Sequence, residues 1–302
     1  MSHFAVSDRK RVYLDYSAMA PSDSAVLSTM LPYFDRRFCN PSSLHENGRR
    51  SREAIEAARA RVAETIGARP QEIIFTGSGT ESDNLALFGA ARANRARGDH
   101  IIISAVEHKA VLHAAEALAK EGFQITVLPV NSYGRIDVGK CLAAVTEKTI
   151  LISLMYVNNE LGTVEPVREL AEALKARRRG KFPLLHTAAC QASNLFSLNV
   201  KELGVDLMTV NSSKIYGPTG VGLLYIRDGV ALLPVIVGGE QEKNLRGGTE
   251  NVPFIIGFAE ALRKAQSGRE AEYARLAEIR KYFVTELTER VLVRNRLRSR
   301  LS

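Results

Sequence analysis

The chain has 302 residues, 45% hydrophobic and 25% charged, a balance that indicates a globular rather than a disordered protein and supplies apolar material for one large domain and part of another. It carries 41 Lys and Arg against 33 Asp and Glu, a formal net charge of +8. No apolar stretch reaches the ~18 residues of a membrane span and no basic-then-apolar leader opens the chain, so a cytoplasmic protein is expected. The cysteines, Cys39, Cys141 and Cys190, are widely spaced, which fits a reducing compartment, predicts no disulfide and shows no metal-ligand spacing.

Short apolar runs alternate with helical stretches. A first strand at 72–75 leads through TGSGTESDN (76–84) into a helix over 82–95. Strands follow at 100–104, 124–128, 149–157, 183–186, 206–210 and 221–226, with helices at 109–120 and 166–178 among them. Such alternation builds a mostly parallel sheet covered by helices on both faces. The last strand follows its predecessor through the short KIYGPTG turn, without room for a crossover helix, and is expected to run antiparallel. From 253 to about 291 the pattern is helical and charged, and Gly268 predicts a break in it. Two basic runs, 177–181 and 290–300, carry no interleaved aromatics and sit in no recognition fold, so they read as a solvated helix end and a charged tail rather than a nucleic-acid surface. The surplus charge would also attract a phosphorylated, anionic ligand.

In sheets of this kind, ligands collect beyond the carboxyl ends of the strands. The loop after 72–75 opens a helix whose free N–H groups and dipole suit a phosphate, with the Gly79 backbone and the Thr80 hydroxyl at its start. The pair Gly77 and Gly79 partly matches a dinucleotide fingerprint, but Ser82 stands where the third glycine belongs and no acid closes the next strand. After 100–104 comes His108 at a helix start, where an imidazole can stack on an aromatic ring or move protons. Asn158 and Asn159, and later Gln191, offer amides to a phenolic or carboxylate oxygen; an ordinary Asx turn explains the asparagines too. Lys214, in NSSKIYGPTG (211–220), is either a loop cation or a lysine placed to form a Schiff base with an aldehyde cofactor such as pyridoxal phosphate.

The order of these motifs decides between such readings. GSGTESDN, EHKAVL, VNNELGT, HTAACQ, SSKIYGPTGVGLLY and RGGTENVP, preceded by YLDYSAMAP and by NPSSLHENGRR at 40–50, resemble the cysteine desulfurases of the class V aminotransferase group up to about Ala261. The resemblance implies an α/β, fold-type I pyridoxal-phosphate-dependent transferase with a mostly parallel seven-stranded sheet. A large domain would span 15–252, and 1–14 with 253–302 would form an incomplete small α/β domain. By matching position, Lys214 looks like the lysine that binds the cofactor aldehyde and moves the substrate proton. Gly79 and Thr80 look like the phosphate cradle, joined by Asn211 and Ser213, where the family often has serine and histidine. His108 resembles the ring stacked on the pyridine, and Asn159 and Gln191 resemble neighbours of its phenolic oxygen. Thr249 resembles a threonine that reaches the phosphate of a neighbouring subunit, which implies a homodimer with shared sites.

The implied reaction takes sulfur from L-cysteine, leaving alanine and a persulfide for iron–sulfur cluster or tRNA thiolation pathways through an acceptor or scaffold protein. No metal, nucleic acid or membrane enters it. Three features depart from the pattern: Ala188 stands where the family has the aspartate that partners the pyridine nitrogen, Met19 and Ala20 replace two threonines near the entrance, and none of the cysteines matches the family's nucleophile. A related lyase or aminotransferase using the same lysine, and a non-catalytic relative, therefore stand as alternatives.

Overall fold

The computed structural model describes residues 12–176 and 180–298, with side chains as far as Arg290. The arginines at 177–179 and the side chains of the basic run beyond Arg290 lie outside the described residues. Helix α1 (Ser24–Met30) starts at Asp23, whose carboxylate accepts the Ala25 N–H, and α2 (Glu46–Ile66) starts at His45, whose ring accepts the Gly48 N–H. Strands and helices then alternate through β1 (Ile73–Thr76), α3 (Gly79–Ala93), β2 (His100–Ser104), α4 (Lys109–Lys120), β3 (Gln124–Leu128) and α5 (Val138–Ala144). They continue as β4 (Thr149–Ser153), α6 (Val167–Lys175), β5 (Leu184–Ala188), α7 (Val200–Leu203), β6 (Leu207–Asn211), β7 (Gly222–Ile226) and α8 (Val252–Arg298).

The strands form one seven-stranded sheet in the order β1-β7-β6-β5-β4-β2-β3. β7 is antiparallel to both β6 and β1, as the short turn before it requires, and the other pairings are parallel. The expected α/β architecture is therefore present, with two local differences. β4 stops at Ser153, short of the end of its apolar run, because Met155 gives its N–H to the Glu107 carboxylate at 2.8 Å instead of to a neighbouring strand. α8 runs unbroken through Gly268, where the sequence predicts a break. That glycine faces open space, and a lone helical glycine lowers stability by only ~1 kcal/mol.

Both faces of the sheet are covered. On one, Leu85 and Leu87 of α3 and Val111 and Leu118 of α4 bury Ile74, Ile101, Ile103 and Leu224. On the other, Val62 and Ile66 of α2, Leu170 of α6 and Phe258 and Leu262 of α8 bury Ile73, Phe75, Ile102, Ile152 and Leu223. The alternation along β1 and β2 assigns successive residues to opposite layers. Among the described residues no helix is long and apolar enough to cross a membrane.

Two contacts fix the end of the sheet where the site lies. A Cβ on Gly222 would stand 2.8 Å from the Ser78 carbonyl carbon and 3.1 Å from the Gly79 nitrogen, so only glycine at 222 lets the first turn of α3 rest on β7. Beside β1, Arg59 and Glu242 form a buried two-armed ion pair, 2.8 Å on each arm, and Glu242 also accepts the Phe75 N–H at 2.7 Å. This clamp holds Glu242, Lys243 and Asn244 in left-handed backbone, at φ 44°, 60° and 63°.

Alanine is expected to act with opposite sign at two of the glycines. Gly222→Ala pushes a methyl into the Ser78 backbone and should lower the unfolding free energy by ~1–3 kcal/mol. Gly268→Ala, on an open helix face, should raise it by ~0.5–1 kcal/mol. Urea denaturation of both variants measures the two signs.

Candidate active site

The carboxyl-end loops of the sheet enclose one cavity of about 450 Å³, a volume that suits a small aromatic ring carrying a phosphate. Gly79, Thr80, His108, Asn159, Gln191, Asn211 and Lys214 all line it. Ser213 and Thr249 do not. Ser213 is buried behind Lys214, where its N–H donates to Asn211 Oδ1 at 3.3 Å and its carbonyl accepts the Ala20 N–H at 3.0 Å. Thr249 is exposed, on a loop tied to the start of α3 by Arg246, which donates to Glu81 at 2.9 Å while Glu81 accepts the Gly77 N–H at 2.8 Å.

At the start of α3, Ser78 caps the helix by accepting the Glu81 N–H at 3.1 Å, and the positive end of the helix dipole faces the cavity beside Thr80. His108 caps α4 in the same way, its Nδ1 accepting the Ala110 N–H at 3.1 Å. Burial, and then the Lys214 and Lys109 cations, hold the His108 pKa below its ordinary value, so the ring is neutral near pH 7 with its proton on Nε2. Lys214 ends a single turn of 3-10 helix after β6, and its ammonium donates to the Ser17 carbonyl at 2.8 Å and to the Ala18 carbonyl. The entrance segment carrying Met19 and Ala20 is thereby fastened beside the lysine. Met19 is 46% exposed, whereas Ala20 is buried.

Asn158 proves to be the Asx turn of the simpler reading: its Oδ1 accepts the Glu160 and Leu161 N–H groups and its Nδ2 donates to the Val106 carbonyl at 3.0 Å. It ties the loop after β4 to the loop that carries His108. Glu107, which the motif reading passed over, does the same from the other side. Its Oε1 accepts from Ser104 Oγ and from the Met155 N–H, each at 2.8 Å, and burial pushes its pKa up to about 8. The signal lay in the acid directly before the histidine of EHKAVL.

A second acid escaped the motif reading. Asp83 lies one turn along α3 from Gly79, on the face turned to the sheet, and lines the cavity at 3% exposure. Burial pushes its pKa up to about 7, against a hydrogen bond from Thr209, and its Oδ1 has no hydrogen-bond partner. His186 stands 3.6 Å from that oxygen, but its ring already bonds Ser153 Oγ at 2.8 Å and Thr209 Oγ1 at 3.1 Å. Burial drops the His186 pKa to about 3, so the ring is neutral and offers Asp83 no charge. The i, i+4 step from Gly79 was the sequence signal for this carboxyl. Ala188 and Cys190 complete the floor, and burial raises the Cys190 thiol pKa, which makes it a poor nucleophile. Among the described residues no group of three or more His, Cys, Asp or Glu could hold a metal ion.

A family model described as aminotransferase class V matches residues 12–300. The cysteine desulfurase IscS of Dictyoglomus turgidum is 46% identical over 284 residues, which are 94% of this chain and 71% of that protein. The chain belongs to the cysteine desulfurase family. Solved relatives share its fold: a NifS-like protein has a TM-score of 0.90 at 36% identity, over 93% of this chain and 76% of its own. SspA in complex with cysteine has a TM-score of 0.79 at 37% identity, over 83% and 72%. The cysteine desulfurases are pyridoxal-phosphate-dependent transferases, and the departure of this member at Ala188 falls on the floor of the cavity.

The buried Asp83 carboxyl makes stability depend on pH in the cofactor-free protein. Its folded pKa of about 7 lies above the ordinary 3.8, so ionising it costs stability that grows as pH climbs from 3.8 to 7 and then levels off. Asp83→Asn is therefore expected to be more stable than the wild type at pH 8, by up to ~4 kcal/mol. Urea denaturation across the pH range should show the gap closing as pH falls toward 4.

Proposed function

We propose that this chain is a pyridoxal-phosphate-dependent cysteine desulfurase, acting in the cytoplasm on L-cysteine and passing its sulfur toward iron–sulfur cluster or tRNA thiolation pathways. The observation that carries this reading is the meeting of Lys214, His108 and the start of α3 in one cavity. The residues present fit the cofactor: a helix N-terminus with a hydroxyl for its phosphate, a neutral ring for its face, amides for its phenolic oxygen and an amine for its aldehyde. When bound, pyridoxal phosphate supplies that aldehyde and a ring that draws electrons from the substrate.

The chain's own residues bind, orient and move protons. The Gly79 backbone and Thr80 would hold the phosphate together with Asn211, while Ser213 acts from behind by fixing the Asn211 amide. His108 would cover the ring without adding charge, and Asn159 and Gln191 would offer their amides to the phenolic oxygen. Lys214 would hold the aldehyde through Nζ, and its amine is the group placed to carry the proton from the substrate Cα. In the net reaction the Cβ–S bond of cysteine breaks, Cβ gains a proton to give alanine, and the sulfur forms an S–S bond with an acceptor thiol. Burial raises the thiol pKa of Cys190, which disfavours it as that acceptor. Thr249, exposed beyond this cavity, is suited to the phosphate of a neighbouring subunit in a homodimer, with 15–252 as the cofactor-binding domain.

Incubation with pyridoxal phosphate and borohydride is expected to fix the cofactor mass on the peptide holding Lys214. In unreduced protein, added L-cysteine should yield alanine. Lys214→Ala should lose the label and roughly a thousandfold or more of the alanine formation. A label on some other lysine, or equal alanine from the variant, would overturn the proposal.

A further inference from the structure

The family places an aspartate where this chain has Ala188, and a methyl group cannot hold a proton on the ring nitrogen of the cofactor. We infer that Asp83 supplies the missing carboxylate from α3, partnering the pyridine nitrogen across the position that Ala188 leaves uncharged. The inference rests on the reading that the cavity binds pyridoxal phosphate.

Three observations converge on it. Ala188 and Asp83 both line the cavity, and both are buried, at 7% and 3% exposure. They meet at one residue of the sheet: Ala188 is the register partner of Thr209 in β6, and Thr209 is the residue that hydrogen-bonds the Asp83 carboxyl. The carboxyl also has a free acceptor, since Oδ1 makes no hydrogen bond within the protein. A buried carboxyl with an unpartnered oxygen, on a residue that lines a cavity, calls for a donor from a ligand, and a cationic N–H is the donor that best offsets its burial.

The neighbours leave that role open. His186, 3.6 Å from Oδ1, is neutral and engaged with Ser153 and Thr209. Cys190 is an un-ionised thiol, and Glu107 is a second carboxyl whose charge opposes that of Asp83. Lys214 spends its ammonium on the Ser17 and Ala18 carbonyls. A protonated ring nitrogen would satisfy Oδ1, and the pair would keep both partners charged. The placement along α3 is consistent with the same ligand, because the helix offers its N-terminus to the phosphate and, one turn further, its carboxyl to the ring.

The test reads ring protonation directly. Wild-type protein loaded with pyridoxal phosphate labelled with ¹⁵N in the ring is expected to show the nitrogen resonance of a protonated pyridine at pH 8. Asp83→Asn should move it to the unprotonated position and weaken cofactor binding by ~10–100-fold, the worth of one charge-assisted hydrogen bond. Adding Ala188→Asp to Asp83→Asn should restore the protonated resonance, which a merely structural role for Asp83 would not produce. Circular dichroism confirms that each variant is folded, and Asp83→Ala serves as a second variant should the amide fold poorly. An unprotonated ring in the wild type, or a protonated one in Asp83→Asn, would overturn the inference. Failure of borohydride to label Lys214 in the wild type would instead sink the cofactor reading itself, and this inference with it.

Discussion

The seating of α3 on the carboxyl end of the sheet is the constraint on which the site depends. Helix and strand approach this closely only because Gly222 and Gly79 present no Cβ to the Ser78 backbone and to Cys190. That contact does more than save space. It turns the positive end of the helix into the cavity, and the next turn delivers Asp83 to the floor beside Ala188. The loop containing Arg246 then follows α3 through Glu81, while Arg59 and Glu242 pin the far end of the same loop to β1. A shift of α3 would move all of these groups together.

Behind the cavity the protein keeps acids out of water even though its overall charge is positive. Asp83, Glu107 and Glu165 are all buried, and burial raises the pKa of each. Two of them have evident structural duties: Glu107 joins the end of β2 to Met155, and Glu165 accepts the Ile136 N–H at 3.0 Å. Asp83 has Thr209 alone. Each of the three keeps one carboxylate oxygen without a hydrogen-bond partner, and Asp83 is the one of them that lines the cavity, where function can compensate for the instability of a buried charge.

Much of the fold was legible in local pattern. Each strand needed a short apolar run with an abrupt polar end, and the runs at 100–104 and 124–128 match β2 and β3 residue for residue. The antiparallel β7 followed from a turn too short for a crossover. α2 carried less signal, since its first half is charged and its buried face reads clearly only once α8 lies against it. The site was legible where one residue type has one chemical use, as with Lys214 and the loop at Gly79. Asp83 and Glu107 were harder to see because acids in a helix or before its cap are usually solvated, and their meaning comes from residues far away in the chain: Thr209 for one and Met155 for the other. Asn158 and Asn159 illustrate the same limit, as adjacent identical side chains whose roles differ only by the direction in which the backbone turns them.

The ammonium of Lys214 adds a question of timing. Its hydrogens hold down the entrance segment through the Ser17 and Ala18 carbonyls, yet a nitrogen that condensed with an aldehyde would surrender at least two of them. Anchoring a ligand and fastening the doorway therefore compete for the same atom. A ligand aldehyde held by Lys214 would take the place of the contacts that fasten residues 17 and 18.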